Sequence, residues 1–171
     1  MFRHILIPTD GSPLSGEAIA YGVKLASGTS IRITFLTVTE PFHTFSFEAA
    51  QLQETEASYR DALNREAARR LEEAEKAATS AQVSCGALHA EDDQPYEAII
   101  RTAKEKGCDL ILMASHGRRG ISALVLGSET VKVLTHSSIP VLVYRTPGKA
   151  TDQVLAQQYE TEKRQLSEQL P

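Results

Sequence analysis

The chain has 171 residues, 42% of them hydrophobic, and a formal net charge of -4. That length fits one domain, and the apolar share suffices for one sizeable core. The acidic balance speaks against a general nucleic-acid binder, which presents a basic face, and no apolar run is long enough to span a bilayer. The start, Met1-Phe2-Arg3-His4, passes directly into Ile5-Leu6-Ile7 without the pattern of a secretory signal, so a cytoplasmic protein is expected. The two cysteines, Cys85 and Cys108, stand in neither a C-x-x-C pair nor a metal-ligand spacing and read as small buried hydrophobes. The five histidines are scattered, and no H-E-x-x-H run supports a metal site.

Strand and helix patterns alternate along the chain. His4–Pro8 is a short apolar run that ends in the turn Thr9-Asp10-Gly11-Ser12. Asp10 or Ser12 is placed to cap the following helix, and Pro13 suits its first turn. That helix reaches about Ala26, with Ala18, Gly22 and Leu25 on one face and Ile19, Val23 and Ala26 beside them; Gly28 ends it. Ile31–Val38 is rich in β-branched residues and reads as the second strand. Glu40–Phe47 is irregular and aromatic. A long helix over about Ala49–Ala78 keeps Tyr59, Leu63, Ala67, Leu71, Ala74 and Ala78 on one side, and its interspersed Glu and Arg mark the other side as solvated.

Val83–His89 is a weaker third strand. The acidic loop Glu91-Asp92-Asp93 is read as charge at the N-terminus of a helix over Pro95–Lys106 rather than as a metal site. Gly107 closes that helix. Leu110–Ala114 is wholly apolar, as a central parallel strand should be. The loop Ser115–Gly120 follows, then a helix from near Ser128 to near His136, and a fifth strand, Ile139–Tyr144. Pro147-Gly148 breaks the chain, so residues 1–145 form the domain. Residues 146–171, Gln- and Glu-rich with sparse Leu155, Tyr159, Leu166 and Leu170, form a tail that is a loose helix or disordered.

This alternation implies an α/β fold: an open five-stranded parallel sheet with helices on both faces and right-handed crossovers. If the chain moves outward through strands two and three and returns to lay strand four beside strand one, the order is 3-2-1-4-5. Ligands of such sheets bind beyond the carboxyl ends of the strands where the order reverses. Those ends are Pro8-Thr9-Asp10 and Met113-Ala114-Ser115-His116-Gly117.

The second loop carries the candidate chemistry. Gly127 precedes the helix that opens with Ser128-Glu129-Thr130. A helix N-terminus with bare amides is an anion site, and glycines let backbone approach phosphate oxygens. The hydroxyls of Ser128 and Thr130 are potential donors, and Arg118 and Arg119 add positive charge nearby. There is no G-K-[ST] ending, so this is not a P-loop. Glycines at this spacing serve a phosphate cradle or a plain structural turn equally well.

The run His4–Ser12, HILIPTDGS, resembles the opening strand and loop of universal stress proteins, and Met113–Val143 resembles their C-terminal signature, in matching order and spacing across Met1–Arg145. In the ATP-binding branch the pattern is G-x-x-G, nine residues, then G-[ST]. Gly117, Gly127 and Ser128 match it, and Ala114 stands where the first glycine would be. The resemblance implies a bound adenine nucleotide, ATP (or ADP or AMP), with Mg²⁺ beside the phosphates. It places Pro8, Thr9 and Asp10 along the adenine and ribose, with Val38 and Met113 against the base, two positions that plain core packing explains equally. Alanine is the smallest replacement for glycine and is tolerated wherever φ is negative, as it should be at the end of a strand.

His116 lies in the same loop, but no Ser-His-Asp or paired-carboxylate arrangement accompanies it. Any ATPase activity is therefore expected to be slow, with the nucleotide acting as a switch or a structural ligand. The alternatives to a nucleotide-binding regulatory module are a slow ATPase and an interaction protein without nucleotide. The fifth strand, apolar and at the sheet edge, is expected to pair with its own copy in a homodimer, an arrangement the family resemblance also implies.

Overall fold

The computed structural model describes residues 2–41, 49–117 and 126–146. Most of the aromatic stretch before the long helix, Arg118, Arg119 and Gly120, and the tail from residue 147 onward lie outside the described residues. The elements alternate strictly: β1 (His4–Pro8), α1 (Pro13–Ala26), β2 (Arg32–Thr39), α2 (Ala49–Ser80), β3 (Cys85–Glu91), α3 (Pro95–Glu105), β4 (Leu110–Ala114), α4 (Ser128–His136) and β5 (Val141–Tyr144). All neighbouring strands pair in parallel, in the order β3-β2-β1-β4-β5 expected from the alternation.

Side chains alternate across the sheet, and this divides the core in two. Ile5 and Ile7 of β1, Ile33 and Phe35 of β2, and Leu110 and Leu112 of β4 pack with Ile19 and Val23 of α1 and Leu71, Ala74 and Ala78 of α2. Leu6, Leu36, Ile111 and Met113 point to the other face, against Ile99, Ile100 and Ala103 of α3 and Val133 of α4. Every residue of β4 is buried, which its uninterrupted apolar run requires. Helix α1 lies very close to the sheet: a Cβ on Gly22 would overlap the side chains of Ile7 and Leu112.

Several boundaries differ from the sequence expectation, each for a local reason. Ser12 caps α1, its Oγ accepting from the Ser15 amide, while Asp10 accepts from the Ser12 amide and so shapes the turn before the cap. Leu25 is exposed, leaving Ala18 and Gly22 as the buried residues of its expected face. Strand β3 starts two residues late. Val83 is buried, but its amide donates to the Ala78 carbonyl at the end of α2, and pairing with β2 begins at Cys85. Strand β5 starts at Val141 because the Ile139 amide donates to Ser137 Oγ and Pro140 has no N–H. Cys108 is buried as expected, and burial pushes its thiol up to about 11; Cys85 is only half-buried. Asp92 accepts from the Gln94 amide and pairs with Arg101, so the acidic loop is a turn tied to α3.

Helix α2 has 32 residues and is about 48 Å long at ~1.5 Å per residue. The longest strand, β2, has 8 residues and spans ~26 Å. The buried stripe Ala67, Leu71, Ala74, Ala78 holds the C-terminal half on the sheet, so the N-terminal half runs out past the strands' carboxyl ends.

The opposite end of the sheet is closed by His4. Its Nδ1–H donates to the Lys106 carbonyl (3.1 Å), which leaves Nε2 to accept from the Thr34 hydroxyl (2.8 Å). Asp109 accepts from the amides of Arg3 and His4 beside it. Burial, reinforced by Arg32, holds the His4 pKa below the ordinary 6.5. The unfolded chain therefore takes up a proton near pH 6.5 that the folded chain refuses. The stability from His4 is complete above that pH and is lost as pH falls toward the lower folded value. The wild-type melting temperature should drop between pH 7 and pH 5.5, and His4→Gln should flatten that drop. Identical pH profiles for the two proteins would show that His4 carries none of it.

Candidate functional site

The chain leaves β1 to one face of the sheet through α1, and leaves β4 toward the other through α4. Between the two departures lies a cavity of about 780 Å³, within the range of roughly 300–1,000 Å³ usual for small-molecule sites. Pro8, Thr9, Asp10, Val38, Met113, Ala114, His116, Gly117, Gly127, Ser128, Glu129 and Thr130 all line it. Every described residue that the sequence singled out as a site candidate therefore stands on one cavity wall or another. The structure adds residues the sequence did not point to: Ser15, Leu36, Thr39, Glu40, Pro95, Ile99 and Leu126, with Tyr59, Leu63 and Arg70 from α2. Tyr59 and Leu63 lie on the apolar stripe of α2 read from the sequence; only the helix's overhang shows that this part of the stripe faces a cavity.

The two loops that flank the cavity touch each other. The Gly127 amide donates to the Ser115 carbonyl (2.8 Å). Gly127 has φ -64 and ψ 152, which any residue adopts, so what favours glycine there is space. A Cβ would stand 3.2 Å from His116 Cα and 3.6 Å from the Ser115 carbonyl. A Cβ on Gly117 would overlap the Asp10 carboxylate. These glycines thus let the β1 and β4 loops close on one another. Ala114 is the last residue of β4 and, as expected, needs no positive φ.

The hydroxyls divide into spent and available ones. Thr9 is buried, with its Oγ1 between Ser15 Oγ and the Gly11 amide. Thr130, read from the sequence as a phosphate donor, is buried and donates its hydroxyl to the Ala114 carbonyl (3.0 Å). It ties α4 to β4 and is not a free donor. Ser128 is exposed at the cavity mouth. Glu129 is also committed: Oε2 accepts from the Tyr96 amide at the start of α3 (2.9 Å), and Oε1 pairs with Lys132 Nζ (2.9 Å). Lys132 in turn lies 5.1 Å from the centroid of the Tyr96 ring. His116 Nδ1 shares a hydrogen bond with Ser115 Oγ (3.2 Å).

Three helix N-termini reach the cavity, and they differ. That of α1 is capped by Ser12, and in α3, which opens with Pro95, the Tyr96 amide donates to the Glu129 carboxylate. Helix α4 begins after Gly127, with no side-chain cap, and the amides of Ser128, Glu129 and Thr130 have no partner among the described residues. These amides and the helix dipole make it an anion-attracting point on the cavity wall.

The model of the universal stress protein family matches residues 1–145. The chain belongs to the universal stress protein family. A curated member, YxiE of Bacillus subtilis, is 32% identical over 149 residues, covering 85% of this chain and all of that protein. Among solved structures, the hypothetical protein MJ0577 superposes with a TM-score of 0.74 at 26% identity, over 87% of this chain and 99% of that one. A universal stress family protein from Arabidopsis thaliana, solved with AMP bound, gives a TM-score of 0.60 at 16% identity, over 85% and 93% of the two chains, a likeness of fold. The family's five-stranded parallel architecture is therefore shared, with the cavity at the point where its strand order reverses.

The split between spent and available hydroxyls has a direct test in stability. Thr130→Val keeps the shape but leaves the buried Ala114 carbonyl without its donor, which should cost about 1–3 kcal/mol. Ser128→Ala, at an exposed site, should stay within about 0.5 kcal/mol. Urea unfolding of both variants reads the difference, and equal losses would contradict the assignment.

Proposed function

We infer that this member of the family is a homodimeric regulatory module that binds an adenine nucleotide, ATP or its ADP and AMP relatives, in the cavity between the β1 and β4 loops. The observation that carries the reading is the N-terminus of α4 at the cavity wall, whose first amides have no partner among the described residues, beside an exposed Ser128, whereas α1 is capped by Ser12 and the Tyr96 amide of α3 is taken by Glu129. Pro8, Val38 and Met113 offer apolar wall for a base, and Asp10 offers a carboxylate for a ribose hydroxyl. The AMP held by the Arabidopsis relative supports the same ligand class. Mg²⁺ belongs to this reading as a companion of the phosphates. His116 has no carboxylate partner in the described hydrogen bonds that would make it a positioned base, so the reading favours a bound regulator over fast turnover.

Calorimetric titration tests it. The wild type should bind ATP. Ser128→Ala should weaken binding about ten- to a hundredfold, the worth of a charge-assisted hydrogen bond, while Ala114→Gly should change it little. A wild type that gives no heat with ATP, ADP or AMP up to millimolar concentration would remove the nucleotide reading.

The dimer part of the proposal rests on β5. This strand has a neighbour on one side only, its four residues are half-buried, and Val131 and Leu134 of α4 are exposed. The carbonyls of Pro140 and Tyr144 accept from the amides of Ile111 in β4 and of Ser115 just after it. By the alternation of a parallel ladder the Val143 amide, out of phase with them, faces away from the sheet. Val143→Pro should therefore remove a bond to a partner while sparing the pairing with β4. In sedimentation velocity the wild type should run as a dimer at micromolar concentration and Val143→Pro as a folded monomer. A monomeric wild type would overturn it.

A further inference from the structure

The α2 wall of the cavity contains a cation that the family signature does not include. Arg70 has a side-chain exposure of 9%, yet it lines the cavity. Its Nε donates to Glu66 Oε1 (3.1 Å), and its aliphatic stem packs on the turn after β1. A Cβ on Gly11, which has φ +76, would stand 3.0 Å from both Cδ and Nε of Arg70. Glu66 is gripped by Arg69 as well, and the two guanidinium groups, Arg69 first, hold its carboxyl down at about 2, so it stays charged and keeps Arg70 in place at any working pH.

The terminal nitrogens of Arg70 have no partner among the described residues. Among those residues no buried side-chain nitrogen sealed from solvent lacks a hydrogen bond. The terminal N–H groups are therefore not sealed from solvent, and Arg70 lines the cavity. Arg70 is anchored on Glu66 through Nε, and its solvent-accessible terminal N–H groups are placed to donate to an anion. The described lining carries the carboxylates of Asp10, Glu40 and Glu129, and Arg70 is its one Lys or Arg. A polyanion entering this cavity meets the α4 amides on one side and, as the matching described side-chain charge, Arg70 on the other.

The geometry points to Arg70 as an anion-contacting residue of this cavity, its terminal guanidinium nitrogens donating to phosphate oxygens of the bound ligand from the α2 side. This rests on the nucleotide reading above for the identity of the ligand, but the anion contact itself does not depend on adenine. It makes α2 a part of the binding machinery and the Glu66–Arg70 pair the device that sets the fork before the ligand arrives.

The test titrates ATP, adenosine and inorganic tripolyphosphate into the wild type, Arg70→Met and Arg70→Lys, with the melting temperature of each ligand-free protein as a control for folding. Arg70→Met keeps the stem that covers Gly11. It should weaken ATP and tripolyphosphate about ten- to a hundredfold while leaving adenosine within about twofold. Arg70→Lys, which keeps the charge but not the fork, should fall between. If Arg70→Met weakens ATP and adenosine equally, or neither, the anion contact is wrong and Arg70 only braces the turn; nucleotide binding by the wild type then stands alone. If the wild type binds tripolyphosphate through Arg70 but neither adenosine nor ATP, the nucleotide reading falls and the anion site remains. A wild type that binds none of the three overturns both. Should Arg70→Met fail to fold, Arg70→Lys carries the same comparison.

Discussion

Everything in this molecule follows from covering a parallel sheet on both faces. Each crossover must return over one face or the other, and the alternation of Ile5, Leu6 and Ile7 in β1 supplies an apolar residue to both. The central pair, β1 and β4, is where the chain's two halves go opposite ways, α1 with α2 on one side and α3 with α4 on the other. No helix bridges that parting, because each is drawn onto its own face by its own stripe. The cavity is the space the packing leaves there, and its polar character comes from loop backbone that has no strand left to pair with.

Within that space the fold settles most polar groups itself. Ser12, Thr9, Glu129 and Thr130 all have internal partners, and each is a residue type that sequence reasoning associates with ligands as readily as with caps. Their use tightens the walls: Thr130 ties α4 to β4, and Glu129 ties α4 to α3. Among the described residues, those without an internal partner include the α4 amides, Ser128 and the terminal nitrogens of Arg70. Selectivity of a site arises as much from the groups that are withdrawn from it as from those that are offered.

The sequence made the fold legible because its signals were redundant. The wholly apolar β4, the glycines that end helices at Gly28 and Gly107, both with positive φ, and the alternating patterns all point to one topology. Errors arose where two local rules competed. Val83 is as apolar as a strand residue but serves the end of α2, and Asp10 and Ser12 are both good caps of which only Ser12 has the right offset. The cavity's membership was legible for the β1 and β4 loops, because strand ends announce themselves. Arg70 was not, since in sequence it is one charge among many on a charged helix; only its burial of nine-tenths against Gly11 sets it apart from Arg69, which is half exposed and paired with Glu66 and Glu73.

The length of α2 has a consequence of its own. Its C-terminal half is fastened by Ala67, Leu71, Ala74 and Ala78, but the turns before Leu63 have no sheet beneath them. They are held by their own backbone bonds and by pairs along the helix such as Arg60 with Glu56. Surface pairs of that kind weaken as ions accumulate in the medium. The outer turns should therefore unwind and reform far more often than the sheet does, and their average occupancy should follow the saltiness of the solution around them. Tyr59 and Leu63, which stand on those turns, are the cavity's most negotiable wall. One side of the cavity should thus answer to the surrounding electrolyte more than the strand ends opposite.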